Sequence, residues 1–415
     1  MGAYLPLLAT LIALLVGIVV GKAWERYKLR DGRWFDRRRL RDTPHYMLGL
    51  TFLLQGQIDQ AIEELTKAAS TDANALELEM ILGNLLREKG QVARAIAIHQ
   101  GLLQRPTLSA VEHAHVLLCL GLDYRHAGFI DRAKEALLEV RRLDPRNRYA
   151  LQQLQRVYEE QRDWPAALKV REDLAALSTE PEAQDRKILG FLHAEIGQAL
   201  RARGETIEAG RAFASALDVD ERAAPAYLHL GDLRQAQGDT QGAVEVWEQL
   251  AKMVPHRAGL VLERLERGFE ALDQADRFVT YCRTRIEVAP EDWRTRLALA
   301  RHLSARGYHQ ASFDLLLDAL THNPHGLAIH QAAWTTLVAL DRPADLVTRY
   351  LALTRDALFY LDPHVCVRCR YRSTELLWLC PQCHEWDTFV EERIAQAPTS
   401  ATFAAIDESP TTART

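Results

Sequence analysis

The chain has 415 residues, a net charge of −5 at pH 7, and 48% apolar against 26% charged residues. This length excludes a single small core and predicts two or three domains or one long repeat array. The weak net charge gives no general attraction to nucleic acid, so no nucleic-acid partner is expected. Four of the six cysteines lie between residues 366 and 383, which excludes the even, dense spread of a disulfide-stapled secreted domain.

The first 21 residues carry no charged side chain, and their apolar run extends from Leu5 to Gly21. About 20 helical residues cross a hydrocarbon layer of about 30 Å, so we predict a transmembrane anchor over residues 1–22. Residues 22–42 contain nine lysines and arginines against four acids, which predicts a basic juxtamembrane segment over residues 23–42. Basic residues beside a span stay in the cytoplasm, so the rest of the chain is expected there. A cleaved signal peptide would need its charge before the apolar run.

Three small residues, Ala13, Gly17 and Gly21, are spaced four residues apart inside the apolar run. Such a ladder lets two membrane helices approach closely. A homodimer paired through its anchors is compatible with this ladder, as is a single anchor, because glycine is common in membrane helices.

A pattern of small residues repeats through the middle of the chain. An apolar–glycine pair is followed seven residues later by a second glycine and, five residues after that, by an alanine. The first glycines of these units are Gly49, Gly83, Gly121, Gly197 and Gly231. The steps between them are 34, 38, 76 and 34 residues, and the longest step contains a weaker unit with Leu154, Tyr158 and Ala167. A further unit surrounds Gly307, and residues 258–290 and 327–357 indicate degenerate helix pairs.

This pattern resembles the tetratricopeptide repeat, in which two antiparallel helices fill a period of about 34 residues. Small residues are needed where the two helices cross, and the second glycine supplies the left-handed turn that ends the first helix. We therefore predict an all-α fold, a tetratricopeptide-repeat superhelix of about eight to nine helix pairs over residues 43–357. Such arrays bind extended peptides or helices of other proteins.

Two Cys-x-x-Cys pairs lie near the end of the chain, Cys366 with Cys369 and Cys380 with Cys383. Two such knuckles separated by ten residues are a strong signal for a tetrahedral metal site with four thiolate ligands. They predict a small rubredoxin-like, four-cysteine zinc ribbon over residues 362–393. Structural zinc is favoured, and iron stays an alternative because the same spacing serves both metals. Disulfides would need an oxidising compartment, which the predicted topology does not provide.

The remaining segments carry simpler predictions. Cys119 and Cys282 lie in helical stretches and are predicted to be buried core thiols. Residues 394–415 are rich in Pro, Ser and Thr and are predicted to form a disordered tail. The sequence contains no HExxH metalloprotease motif, no phosphate-binding loop and no nucleophile elbow, so an enzyme is not expected.

Taken in order, these segments resemble the lipopolysaccharide assembly protein B family of Gram-negative bacteria over residues 1 to about 393. The resemblance is carried by LGNL at residues 82–85, RAIAIHQ at residues 94–100 and CPQCHEW at residues 380–386. The four cysteines match the metal ligands of that family one by one. One departure is Arg370, which stands where the first knuckle of the family usually has glycine. A positive φ at this position would cost arginine more than glycine, so the knuckle is expected to be strained or wound differently.

The resemblance implies an inner-membrane adaptor that modulates lipid A biosynthesis. The implied mechanism is degradation of the committed-step UDP-acyl-GlcNAc deacetylase by a membrane-bound ATP-dependent protease, promoted by the adaptor. The implied partners are this protease, the deacetylase and other lipopolysaccharide-assembly proteins. The implied location is the cell inner membrane, crossed once, with the bulk of the chain on the cytoplasmic side. Two alternatives stay open: a general scaffold for envelope enzymes, and electron transfer through a rubredoxin-like iron centre.

Overall fold

The computed structural model describes residues 44–71, 76–177, 183–323, 326–340 and 364–391. The predicted anchor (1–22), the basic segment (23–42) and the predicted tail (394–415) lie outside these residues. Within the described ranges, no helix is both long enough and apolar enough to cross a bilayer.

Seventeen α-helices follow one another through the described part of the repeat region. Their bounds are α1 Pro44–Leu54, α2 Ile58–Thr71, α3 Leu76–Glu88, α4 Val92–Leu103, α5 Ala110–His126, α6 Ile130–Leu143, α7 Arg148–Glu160, α8 Trp164–Ala176, α9 Ala183–Ala202, α10 Thr206–Val219, α11 Ala224–Ala236, α12 Thr240–Met253, α13 Leu262–Ala271, α14 Ala275–Val288, α15 Trp293–Ala305, α16 His309–His322 and α17 Leu327–Ala339. A 3₁₀ segment, Pro255–Val261, precedes α13. The prediction of an all-helical array is confirmed.

Glycines on the first helix of a pair allow the second helix to pack unusually close. A Cβ added at Gly49 would lie 2.6 Å from the Leu65 side chain, and one at Gly231 would lie 2.1 Å from the Trp247 indole nitrogen. Such distances are far inside van der Waals contact, so a larger residue would push the helices apart. The side chains that fill these spaces recur with the period of the glycines, as Leu65, His99, Leu137, Phe213 and Trp247.

The turn between paired helices has the same left-handed backbone in many units. The glycines at this turn have φ between 73° and 85°, and they are Gly56, Gly90, Gly128, Gly204, Gly238 and Gly307. Arg162 and Asp273 take the same conformation, with φ of 55° and 58°, in two units that lack the glycine. The Gln274 amide donates to the Phe269 carbonyl at 2.8 Å, as the Gln91 amide does to the Leu86 carbonyl. The weaker units therefore keep the turn of the regular ones.

The described residues fall into two compact units, which divide between Arg162 and Asp163. The first unit contains a buried polar cluster in which the His99 Nδ1 lies 2.5 Å from the Asp123 carboxylate and Arg87 donates to the same carboxylate at 2.9 Å. The second unit contains a large apolar core that includes Trp247, Phe269 and Phe278.

The last described segment, residues 364–391, is a small β-ribbon in the second unit. Its strands are β1 His364–Cys366, β2 Arg372–Ser373 and β3 Phe389–Glu391, in the order β2–β1–β3. Both pairings are antiparallel, with Val365 opposite Arg372 on one side and opposite Val390 on the other. The ribbon therefore brings the two ends of this segment together around β1.

Replacing Arg162 by glycine should raise the free energy of unfolding by about 1 kcal/mol, because glycine takes a left-handed φ without the steric cost of a Cβ. Urea unfolding followed by circular dichroism measures the change. Gly204→Ala is the matched control at the same turn of the next repeat, and it should lower the free energy of unfolding instead. An Arg162→Gly variant less stable than the wild type would contradict this account of the turn.

Candidate metal centre

Each Cys-x-x-Cys pair lies on a tight turn that a backbone hydrogen bond closes. The Arg370 amide donates to the Cys366 carbonyl at 2.9 Å, and the His384 amide donates to the Cys380 carbonyl at 2.9 Å. Arg370 and His384 have φ of 64° and 55°. The two knuckles therefore share one backbone conformation, and Arg370 takes the left-handed φ that a glycine would take there. The sequence predicted that Arg370 would either be strained or change the winding of its knuckle. The structure shows the strained left-handed φ, and the first knuckle is wound like the second.

The two knuckles bring four sulfur atoms together. The Sγ atoms of Cys366, Cys369, Cys380 and Cys383 all lie within 4.8 Å of one another. The distance from Cys366 to Cys383 is 3.7 Å, and that from Cys369 to Cys380 is 3.5 Å. Sulfurs about 2.3 Å from a tetrahedral ion lie about 3.8 Å apart, whereas a disulfide bond is about 2.05 Å long. The arrangement therefore fits one tetrahedral metal ion and does not fit disulfides.

The surroundings of the sulfur atoms favour a cation at their centre. Cys366 and Cys380 are fully buried and pack against Phe389. Burial raises the pKa of Cys369 and of Cys383, because a lone thiolate is poorly solvated in an apolar environment. A bound cation offsets this cost by stabilising the thiolate form of each ligand. The donor set therefore suits a soft divalent ion such as zinc, which would be held by four thiolates.

Two tryptophans of the ribbon pack against helices of the second unit. The Trp386 ring lies 5.5 Å from the Phe191 ring and 6.2 Å from the Trp164 ring, measured between centroids. Trp378 contacts Phe191 at 5.9 Å. Trp386 is only 3% exposed. Because Trp164 begins α8 and Phe191 lies on α9, the ribbon contacts helices far before it in the sequence.

A half-buried ion-pair network holds the ribbon beside these rings. The Asp387 carboxylate accepts a hydrogen bond from Arg257 at 2.7 Å and lies 3.1 Å from the Lys187 ammonium. Arg257 also donates to the Phe389 carbonyl at 3.0 Å, and its guanidinium lies 5.4 Å from the centre of the Trp378 ring. Arg257, in the 3₁₀ segment between α12 and α13, therefore contacts a carboxylate, a backbone carbonyl and an aromatic ring of the ribbon.

A second polar contact lies at the other end of the ribbon. Arg294 on α15 forms an ion pair with Glu391 at the end of β3. The ribbon is thus fixed to α8, α9, the 3₁₀ segment and α15, all in the second unit.

Another group of candidate ligands lies on α13 and α15. Oxygens of Glu266 and Glu270 and a ring nitrogen of His302 lie within 4.8 Å of one another. His302 is buried, and its Nδ1 lies 2.7 Å from a Glu266 oxygen. A histidine–carboxylate hydrogen bond accounts for this contact without an ion.

Comparison with known protein families gives one match for the ribbon and three for the repeats. Residues 364–391 match the rubredoxin metal binding domain, and residues 43–74, 150–184 and 225–256 match the tetratricopeptide repeat. The match at residues 150–184 falls on the weaker unit that lacks the turn glycine. The predicted repeat array with a C-terminal four-cysteine ribbon is therefore confirmed.

Two relatives match almost the whole chain. Lipopolysaccharide assembly protein B of Haemophilus influenzae is 26% identical over 393 residues, which cover 91% of this chain and 97% of that protein. The protein of the same name from Escherichia coli K12 is 24% identical over 382 residues, with the same coverage of both chains. The resemblance to lipopolysaccharide assembly protein B is confirmed.

The four cysteines were found from their spacing alone, whereas the residues that hold the ribbon in place were not. Asp387 and Arg257 are 130 residues apart, and no local pattern records that they meet. The position of Trp386 and Asp387, three and four residues after Cys383, was the available signal: a large aromatic and an acid beside a metal knuckle.

The two core thiols, Cys119 and Cys282, are buried as predicted, and burial raises the pKa of Cys119 to about 11.

Replacing Asp387 by asparagine should lower the free energy of unfolding by about 2 kcal/mol, because Arg257 and Lys187 would keep their charges without a carboxylate partner. Asparagine has nearly the same volume and tolerates the left-handed φ of 51° at this position, so the change isolates the charge. Urea unfolding of the metal-loaded chain measures it.

The control is Glu385→Gln, since Glu385 lies 3.7 Å from the exposed Arg368 and this surface pair contributes little. Equal stability of the two variants would show that the Asp387 network does not hold the ribbon.

Proposed function

We propose that this chain is a membrane-tethered adaptor in lipopolysaccharide assembly, which binds other proteins and performs no reaction itself. The observation that carries the proposal is the similarity to lipopolysaccharide assembly protein B over 91% of a chain whose repeats are followed by a four-cysteine ribbon. Arrays of paired helices offer long surfaces to extended segments and helices of other proteins.

In its finer form, the adaptor promotes degradation of the committed-step deacetylase of lipid A synthesis by a membrane-bound ATP-dependent protease. An anchor over residues 1–22 would confine the repeats to the membrane plane, where protease and lipid enzymes work. Confinement raises the effective concentration of each partner without any new contact. The family resemblance supports this mechanism, and a general scaffold for envelope enzymes is the competing form.

We also propose that Cys366, Cys369, Cys380 and Cys383 hold one structural zinc ion. Four thiolates leave no open coordination position, and such closed sites are typical of structural zinc. The distances between the sulfurs and their burial support this assignment. The zinc ion would then fix the position of the ribbon, because the second knuckle leads directly into the residues that contact the helices of the second unit. Iron in the same four sulfurs would instead support electron transfer.

Purified under reducing conditions, the full chain should contain one zinc ion and no iron. Elemental analysis and the visible spectrum measure this, because a four-thiolate iron centre absorbs visible light and zinc does not. Cys380→Ser should lose the ion, since three thiolates bind it more weakly. Cys119→Ser removes a buried thiol outside the site and should keep it. One iron per chain, with a coloured spectrum, would overturn the structural role.

In cells, a Cys380→Ser/Cys383→Ser variant should raise the level of the deacetylase, because the ribbon loses its fixed position on the helices. Immunoblots of the deacetylase and of the variant itself measure both levels. Asp387→Asn, which keeps all four thiols, should raise the deacetylase in the same direction, and Cys119→Ser should leave it unchanged. An unchanged deacetylase level in variants that are expressed normally would contradict the proteolysis mechanism.

Cross-linking in membranes separates the two forms of adaptor. Capture of the ATP-dependent protease together with the deacetylase supports the proteolysis mechanism. Capture of several lipopolysaccharide enzymes without a protease supports the general scaffold.

A further inference from the structure

The first described helix, α1, exposes apolar side chains on one side. Met47, Leu48 and Leu54 are 56%, 46% and 90% exposed, and Thr51 beside them is exposed too. Positions 47, 51 and 54 are four and three residues apart, so they lie on one face of a helix, with residue 48 at its margin. We call these four residues the α1 face.

The opposite side of α1 holds the first repeat together. Gly49 is buried against Leu65 of α2, and Leu53 packs against the core of the same repeat. Glu64 of α2 also lies on that opposite side, where its carboxylate is 2.6 Å from the His45 ring of α1. All three acidic residues of α2 are paired with lysines, Asp59 with Lys89 and both Glu63 and Glu64 with Lys67.

A terminal unit of a repeat array normally carries a polar outer face, because no further repeat covers it. The α1 face is apolar instead, which calls for a covering surface. The sequence just before α1 indicates what kind of surface covers the α1 face. Residues 1–21 are uncharged and apolar, and residues 22–42 carry nine lysines and arginines. A segment of this composition attracts anionic lipid headgroups at the cytoplasmic surface.

We propose that the α1 face rests on the surface of an anionic lipid bilayer, with its apolar side chains in the interfacial region. This inference rests on the membrane tether of the proposed function. Apolar side chains of a surface helix enter the headgroup boundary, while nearby basic residues bind the headgroups. The first repeat would then have a fixed orientation at the membrane, which an anchor alone does not provide.

A second copy of the chain is the competing cover, and the available area disfavours it. The three apolar side chains together expose on the order of 300 Å², whereas each partner of a standard interface buries roughly 450 Å² of apolar surface. Contact with a bilayer does not need so large an area. The tether already holds α1 near the membrane surface, so a shallow contact is sufficient.

The test uses the full chain in lipid nanodiscs that contain phosphatidylglycerol and phosphatidylcholine. Leu54→Cys carries the polarity-sensitive fluorophore nitrobenzoxadiazole, and Val111→Cys, 76% exposed on α5 of the same compact unit, is the matched control. Both replaced side chains are largely exposed, so neither change removes core packing. Unsubstituted protein treated with the same reagent gives the background from the native cysteines. Lipids with a nitroxide near the headgroup serve as quenchers.

The proposal predicts a blue-shifted emission at position 54 and severalfold stronger quenching there than at position 111. Both effects should weaken when phosphatidylcholine replaces phosphatidylglycerol. Equal quenching at the two positions would overturn the proposal, and so would a blue shift at position 54 without lipid quenching, which would indicate a protein cover. Co-elution with the nanodisc is recorded separately: a chain that fails to co-elute contradicts the tether, whereas a co-eluting chain with unquenched position 54 overturns this inference alone.

Discussion

The contact between the ribbon and the helices of the second unit is the constraint on which the candidate site depends. The strands of the ribbon contain two or three residues each, so it has little core of its own. Its order comes from four converging thiols and from Trp386 and Asp387, which contact α9 and Arg257. Because these two residues follow Cys383 closely, the second knuckle and the docking contacts form one continuous segment.

In the proposed adaptor, this arrangement connects the candidate metal centre to the helices that would bind partners. Phe191 and Arg257 belong to the repeat array, whose helices are the surface that an adaptor offers to partners. The ribbon covers part of that surface, so repeats and ribbon jointly define what remains accessible in the second unit. A closed four-thiolate site suits such a role, because it stabilises a shape and leaves no position for a substrate.

Local spacing explains which parts of the structure could be predicted. The glycine period predicted the helices because each glycine permits a close crossing, and the cysteine spacing predicted the knuckles. Arg162 and Asp273 keep the turn without glycine, since backbone hydrogen bonds and flanking helices outweigh about 1 kcal/mol of left-handed strain. The pairing of Asp387 with Arg257 could not be predicted, because it depends on how distant helices stack.

Hydrogen exchange of the full chain, with and without a metal chelator, tests most directly whether the metal centre holds the ribbon on the array. Metal removal is expected to speed exchange in the ribbon and also around Phe191 on α9 and Arg257, which the ribbon contacts. Peptides of the first unit should stay unchanged. Faster exchange confined to residues 364–391 would show that the metal orders the ribbon without fixing the helices beneath it, and the proposed link between ribbon and array would be wrong.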